Sequence, residues 1–265
     1  MPYTPELRTV DITRYIIPLR EGGSLPAIVE ANDGFSYVLK FRGAGQGIKA
    51  LIAELIGGEL ARVLGLKVPE IVLATVDPAF GRTEPDEEIQ DLLKFSEGLN
   101  LGLHFLSGAL TFDPVATPID PLLASKIVWL DALITNVDRT ARNTNMLLWR
   151  EELWLIDHGA ALYFHHGWDN WEQSSQTAFP QVKDHVLLRN ASKLQEAHSW
   201  CQSIITKEQI STIVSAVPDE WLTQIEPLAI PASQKKEVYI EFLTRRLESA
   251  PKFLKTALDA RQAII

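Results

Sequence analysis

A single cysteine, Cys201, stands in 265 residues. No intramolecular disulfide is available, and one thiol suits a reducing compartment, with Cys201 read as core filler. Positive charge is also scarce. Against 34 Asp and Glu there are 25 Lys and Arg, a formal charge of −9, which argues against a sequence-independent nucleic-acid binder. Long apolar runs are missing. The richest stretch, Pro121 to Ile134, is interrupted by Lys126 and Asp131 and falls short of the ~18 apolar residues of a membrane span. The opening Met-Pro-Tyr-Thr-Pro-Glu-Leu-Arg lacks the apolar centre of a signal peptide, so a cytoplasmic protein is expected. A Gly-x-Ser-x-Gly hydrolase elbow is absent. Gly43-Ala-Gly-Gln-Gly-Ile-Lys49 lacks the Gly-Lys-Ser/Thr of a nucleotide-binding P-loop and reads as a link into a helix. His158, His165 and His166 cluster without nearby cysteines, which disfavours zinc; His158 is expected to pack beside Asp157.

What is present is ordinary globular composition, 46% apolar and 22% charged, in a length that allows one large domain or two modest lobes. Val10 to Pro18 and Ala27 to Phe41 read as strands. Asn32-Asp33-Gly34 marks a hairpin turn that pairs 27–31 with 35–41. Ile48 to Leu64 has helical spacing and is stopped by Gly65, and Val68 to Val76 is a further strand. Glu84 to Glu97 reads as an acidic surface helix and Asn100 to Asp113 as irregular. Pro121 to Ile134 is an apolar helix. Thr206 and Gln209 form a capping box for a helix with Ile210, Ile213, Val214 and Val217 on one face. The seven tryptophans are scattered, as packing residues are. The pattern predicts an α+β, two-lobed protein: a β-rich N-terminal lobe (1–78), a hinge or linker (79–120), and a mainly helical C-terminal lobe (121–265).

The segment from Asn136 to Gly159 carries the chemistry. Asp138 falls just after the apolar helix, and Asn143 follows five residues later. A hairpin of two short apolar strands then leads into Asp157-His158-Gly159, where Gly159 permits a sharp turn. A carboxylate that orients an attacking hydroxyl, with an amide and a second carboxylate able to hold magnesium, is what phosphoryl transfer requires. Each residue alone is an ordinary turn former; the three at this spacing point to a kinase. Lys40 shares a face with Val38 along its alternating strand and is expected to face inward, where the phosphates of ATP and a carboxylate would neutralise it. That carboxylate should lie on the following helix. Glu54 and Glu59 both qualify, projection placing Glu59 nearer the middle of the apolar stripe. Gly22-Gly23-Ser24 is a candidate phosphate-covering turn, its backbone N–H groups free to face phosphate.

The stretch Leu-Asp-Ala-Leu-Ile-Thr-Asn-Val-Asp-Arg-Thr-Ala-Arg-Asn (130–143) resembles the catalytic loop of the HipA-like kinases, bacterial relatives of protein kinases and phosphoinositide kinases. The resemblance runs from about Gly22 to Gly159 and more loosely into Pro218-Asp-Glu-Trp-Leu222. It implies a protein-kinase-like fold whose first lobe binds nucleotide. Asp138 would be the catalytic residue, Asn143 and Asp157 the magnesium ligands, and Lys40 the ATP-phosphate lysine. Ala-Glu-Leu (53–55) before Leu-Ala-Arg-Val-Leu-Gly-Leu (60–66) resembles the family's helix and favours Glu54 over Glu59. The chain departs from the pattern at Thr140, where a histidine often stands, and at His158, where protein kinases have Phe; neither change removes a ligand or the base. The expectation is Mg-ATP-dependent transfer to a hydroxyl, foremost Ser or Thr of a protein, without direct nucleic-acid contact. A kinase of small molecules (a sugar, antibiotic or lipid head group) and a non-catalytic nucleotide-binding module are the alternatives. Ser24 is a candidate for self-phosphorylation.

Overall fold

The turn at Asn32-Asp33-Gly34 sets the first register of the fold. In the computed structural model, which describes residues 3–19, 25–45, 47–78 and 86–265, Gly34 has φ +82°, a conformation that costs little without a Cβ. It folds β2 (Ala27–Ala31) back antiparallel onto β3 (Ser36–Lys40). β1 (Arg8–Pro18) pairs with β2, and β4 (Ile71–Val76) and β5 (Gly98–His104) complete a closed barrel in the order β1-β2-β3-β5-β4. Between β4 and β5 lies the acidic surface helix α2 (Glu87–Phe95), with Asp86 accepting from the N–H groups of Glu88 and Ile89.

β5 corrects the expectation that Asn100 to Asp113 is irregular. Asn and Gly are depleted in strands, and Gly98, Asn100 and Gly102 lower the local signal. Pairing with β3 on one side and β4 on the other supplies what propensity lacks. Leu110–Thr111 forms a short strand, β6, as well.

α1 (Gly47–Val63) connects β3 to β4 and is buried on all sides from Leu51 to Ala61. One apolar cluster fills the barrel with Val10, Val29, Tyr37, Leu39 and Val72. A larger cluster joins α1 and the outward side chains Ile71, Leu101 and Leu103 to the helices that follow. A helix buried all round has no stripe, which is why a projection that put Glu59 nearer the middle of one could not choose between Glu54 and Glu59.

α3 (Pro121–Leu133) begins at Asp120, whose carboxylate accepts from the N–H of Leu122 and Leu123 at 3.0 and 2.8 Å. It ends just before the Asp138 loop. β7 (Met146–Trp149) and β8 (Glu152–Leu155) then form the expected hairpin, extended by β6. Arg150 and Glu151 at its tip both have positive φ, 52° and 65°, the geometry that matches strand twist across a two-residue turn. The short α4 (Trp171–Ser174) is followed by α5 (Leu194–Ile204), α6 (Lys207–Ser215), α7 (Asp219–Thr223), α8 (Ala232–Glu248) and α9 (Ala250–Gln262). The capping box of Thr206 and Gln209 opens α6 as expected. Among the described residues no helix is long and apolar enough to cross a membrane.

Candidate functional site

Lys40 ends β3 on the face shared with Val38, turned away from the barrel interior and towards α1. Its ammonium donates to Glu54 Oε2 at 2.5 Å and to Asp157 Oδ1 at 2.6 Å. The structure therefore places Glu54, not Glu59, beside the lysine; Glu59 faces elsewhere and accepts from the Tyr3 hydroxyl. Burial works against the charge on Lys40, but the carboxylates of Asp157 and Glu54 outweigh it and hold the ammonium well above its ordinary range. Glu54 is fully buried. Burial alone would raise its pKa, yet the charge of Lys40 and the hydrogen bond from His158 bring it down to about 2.

His158 follows Asp157 in the chain and turns towards α1. Its backbone N–H donates to Glu54 Oε2 at 2.8 Å, and its Nδ1 lies 3.3 Å from Glu54 Oε1. Asp157 itself takes the left-handed conformation, φ 55°. Asp tolerates this region better than most side chains do, and the turn expected at Gly159 follows it, closed by the N–H of Ala161 donating to the His158 carbonyl at 2.9 Å. The Asp157 side chain remains 42% exposed. It borders a cleft lined also by Lys40, Phe41, Ala44, Gly47 and Gly159.

Asp138 and Asn143 are brought together in the loop after α3. Asn143 donates from its amide to Asp138 Oδ2 at 2.7 Å, and Asn145 donates to the same oxygen at 3.1 Å. The Asn143 amide nitrogen is thereby committed, and its carbonyl oxygen is the atom left to meet a cation. This loop and the Asp157 segment are stitched together, Ile156 N–H donating to the Asn145 carbonyl at 3.0 Å. Gly23 and Ser24, with Gly22, lie outside the described residues.

Sequence reasoning missed the group that holds this loop. Asp131, fully buried in α3, accepts from Asn136 on Oδ1 (2.9 Å) and from Arg139 Nε on Oδ2 (2.6 Å). His185 Nε2 lies 2.9 Å from that same Oδ2. Asn136 in turn accepts from the N–H of Asp138 at 3.2 Å, and Arg139 donates to the carbonyls of Asn145 and Ile156. Burial would keep Asp131 protonated; the charge of Arg139 and the His185 bond outweigh it and hold the carboxyl well below its usual range. One signal was available in the sequence. A carboxylate within an otherwise apolar helix is rarely left without a partner, and Arg139 lies eight residues on.

The family model for HipA-like kinases matches residues 12–255. No curated protein matches the sequence. A proinflammatory kinase of Helicobacter pylori, CtkA, is similar in structure at a TM-score of 0.57 and 13% identity, over 98% of this chain and 99% of that one. Two structures of Golgi casein kinase are more distant. One aligns at a TM-score of 0.49 and 12% identity over 96% of this chain and 72% of that one. The other, with Mn/ADP bound, aligns at 0.46 and 14% over 99% and 75%. Matched over nearly its whole length, the chain belongs to the HipA-like kinases and is an ATP-dependent phosphotransferase.

Proposed function

We propose that this kinase moves the γ-phosphate of Mg-ATP to a hydroxyl, foremost a serine or threonine of a protein, between a β-rich nucleotide-binding lobe and a helical lobe. The observation that carries the reading is the convergence of Glu54 and Asp157 on Lys40, which borders the cleft with Asp157 and is tied through Ile156 and Asn145 to the loop of Asp138 and Asn143. Lys40 is held charged for the α- and β-phosphates, and Glu54 fixes where its ammonium stands. The Asp157 carboxylate and the Asn143 carbonyl are hard oxygen donors of the kind magnesium takes, so the residues fit the ion. Bound there, the ion would neutralise phosphate charge. Asp138, oriented by two amide donors on one oxygen, has its other oxygen available to accept from the acceptor hydroxyl.

The acceptor side is open. Val137 is 38% exposed, and Ala141, Arg142 and Asn143 are exposed beside it. A surface loop of this kind suits a polypeptide acceptor better than an enclosed small molecule. Incubating wild type and Asp138→Ala with γ-labelled ATP, magnesium and cell lysate tests the reading. The variant should lose transfer by roughly 10²–10⁴-fold while Mg-ATP still raises its melting temperature. Equal labelling by the two proteins would remove Asp138 from the role.

A further inference from the structure

The segment that follows Asp157 returns to the catalytic loop at one place. Thr140 and His185 form an isolated antiparallel bridge, and the N–H of Val186 donates to the Arg139 carbonyl at 3.1 Å. At that bridge His185 turns inward, 8% exposed, and meets Asp131. Its tautomer follows from its partners. The N–H of Leu187 donates to His185 Nδ1 at 3.0 Å, so the ring proton sits on Nε2 and is donated to Asp131 Oδ2. Asp131 spends its other oxygen on Asn136, which accepts from the N–H of Asp138. An unbroken chain of hydrogen bonds thus runs from His185 through Asp131 and Asn136 to the backbone of Asp138. A branch through Arg139 reaches the carbonyl of Ile156, the residue before Asp157.

We propose that His185 is a positioning residue for phosphoryl transfer, acting through Asp131 to hold the Asp138 loop in register with the segment 160–185. The proposal rests on the role given to Asp138 above. Among the described residues Asp131 Oδ2 is shared by two groups, Arg139 and His185, and their directions fix where the carboxylate stands in α3. Without the imidazole, the carboxylate follows Arg139 alone and the Asn136 link to Asp138 loosens. Nucleotide binding rests on Lys40, Glu54 and the cleft, none of which His185 touches. The effect should therefore fall on kcat and spare KM for ATP.

Two substitutions separate this role from mere packing. His185→Asn keeps an acceptor for the Leu187 N–H and removes the donor to Asp131. His185→Gln is long enough to restore that donor. Transfer of label from γ-labelled ATP to lysate proteins is measured across ATP concentrations for both variants and wild type, with melting curves with and without Mg-ATP. The expected result is a kcat about tenfold or more lower for His185→Asn, with KM for ATP within about twofold and Mg-ATP stabilisation intact; His185→Gln should recover to within about threefold of wild type. A His185→Asn protein with wild-type kcat overturns the proposal alone. So does a loss in His185→Asn that His185→Gln does not relieve, or one accompanied by an equal loss of Mg-ATP binding. A wild type that transfers no phosphate overturns the reading of Asp138 and the proposal with it.

Discussion

Lys40 faces two carboxylates with a single charge, and Glu54 is the one with no access to solvent. Such a group is stable only while it is ionised and paired. Glu54 ionises at about 2 in the folded protein against an ordinary 4.5. A carboxyl with a lowered folded value contributes stability that is fully present above about pH 4.5 and is lost as pH falls towards 2. Asp131 shifts in the same direction and adds to the loss. The denaturation midpoint should hold level from neutrality to about pH 5 and then fall steeply. Glu54→Gln should start lower at neutral pH and show a shallower acid limb, because one of the fully buried titrating carboxyls is gone. Parallel acid limbs in wild type and variant would assign the loss to other groups.

Among the elements, α1 decides how the site is assembled. Its Gly57 lies against the turn that follows Asp157: a Cβ there would sit 2.8 Å from His158 Cβ and 3.2 Å from the tip of Ile134. Gly58, one position on, meets the flexible end of Ile71 at 2.7 Å instead. In an exposed helix either Gly→Ala change would stabilise by about 1 kcal/mol. Here Gly57→Ala should destabilise by about 1–3 kcal/mol through overpacking and slow transfer, since His158 carries the hydrogen bonds to Glu54. Gly58→Ala should be close to neutral because Ile71 can turn aside. Urea melts of the two variants, read with their transfer rates, check the contrast. The same helix explains why its existence was legible while its orientation was not. Spacing and the stop at Gly65 set its limits, but eleven successive buried positions, Leu51 to Ala61, erase any face.

At the scale of the molecule, α7 ties the C-terminal helices to the barrel. Trp221 is fully buried and donates from its indole to the Leu99 carbonyl in β5 at 2.9 Å. Beside it Arg42, two residues beyond Lys40, donates to Glu220 and Gln224. The Pro218-Asp-Glu-Trp-Leu222 stretch that resembles the family thus braces the end of β3. Trp221→Ala should cost about 3–5 kcal/mol. Because the larger apolar cluster spans α1, β5 and the helices, far-ultraviolet circular dichroism and tryptophan fluorescence should report one coincident transition, displaced as a whole. Separate transitions would show that the barrel and the helices unfold independently.

Features set by neighbours in the chain were determined by the sequence itself. These are the Gly34 hairpin, the limits of α1 and α3, the capping box of α6, and the Asp138-to-Asp157 spacing on either side of a hairpin. Turn chemistry, capping and apolar period act over a few residues and leave local signatures. Three features were decided only by the tertiary structure. β5 became a strand because two partners from distant sequence paired its backbone. Glu54, which the residue pattern did not single out and only the family resemblance favoured, became the lysine's neighbour through the packing of the enclosed α1 against β3. Asp131, Asn136 and His185 became one network because the chain returns to α3 after more than fifty residues. Each depends on groups far apart in the chain, and burial makes their pairing obligatory without marking it in the local pattern.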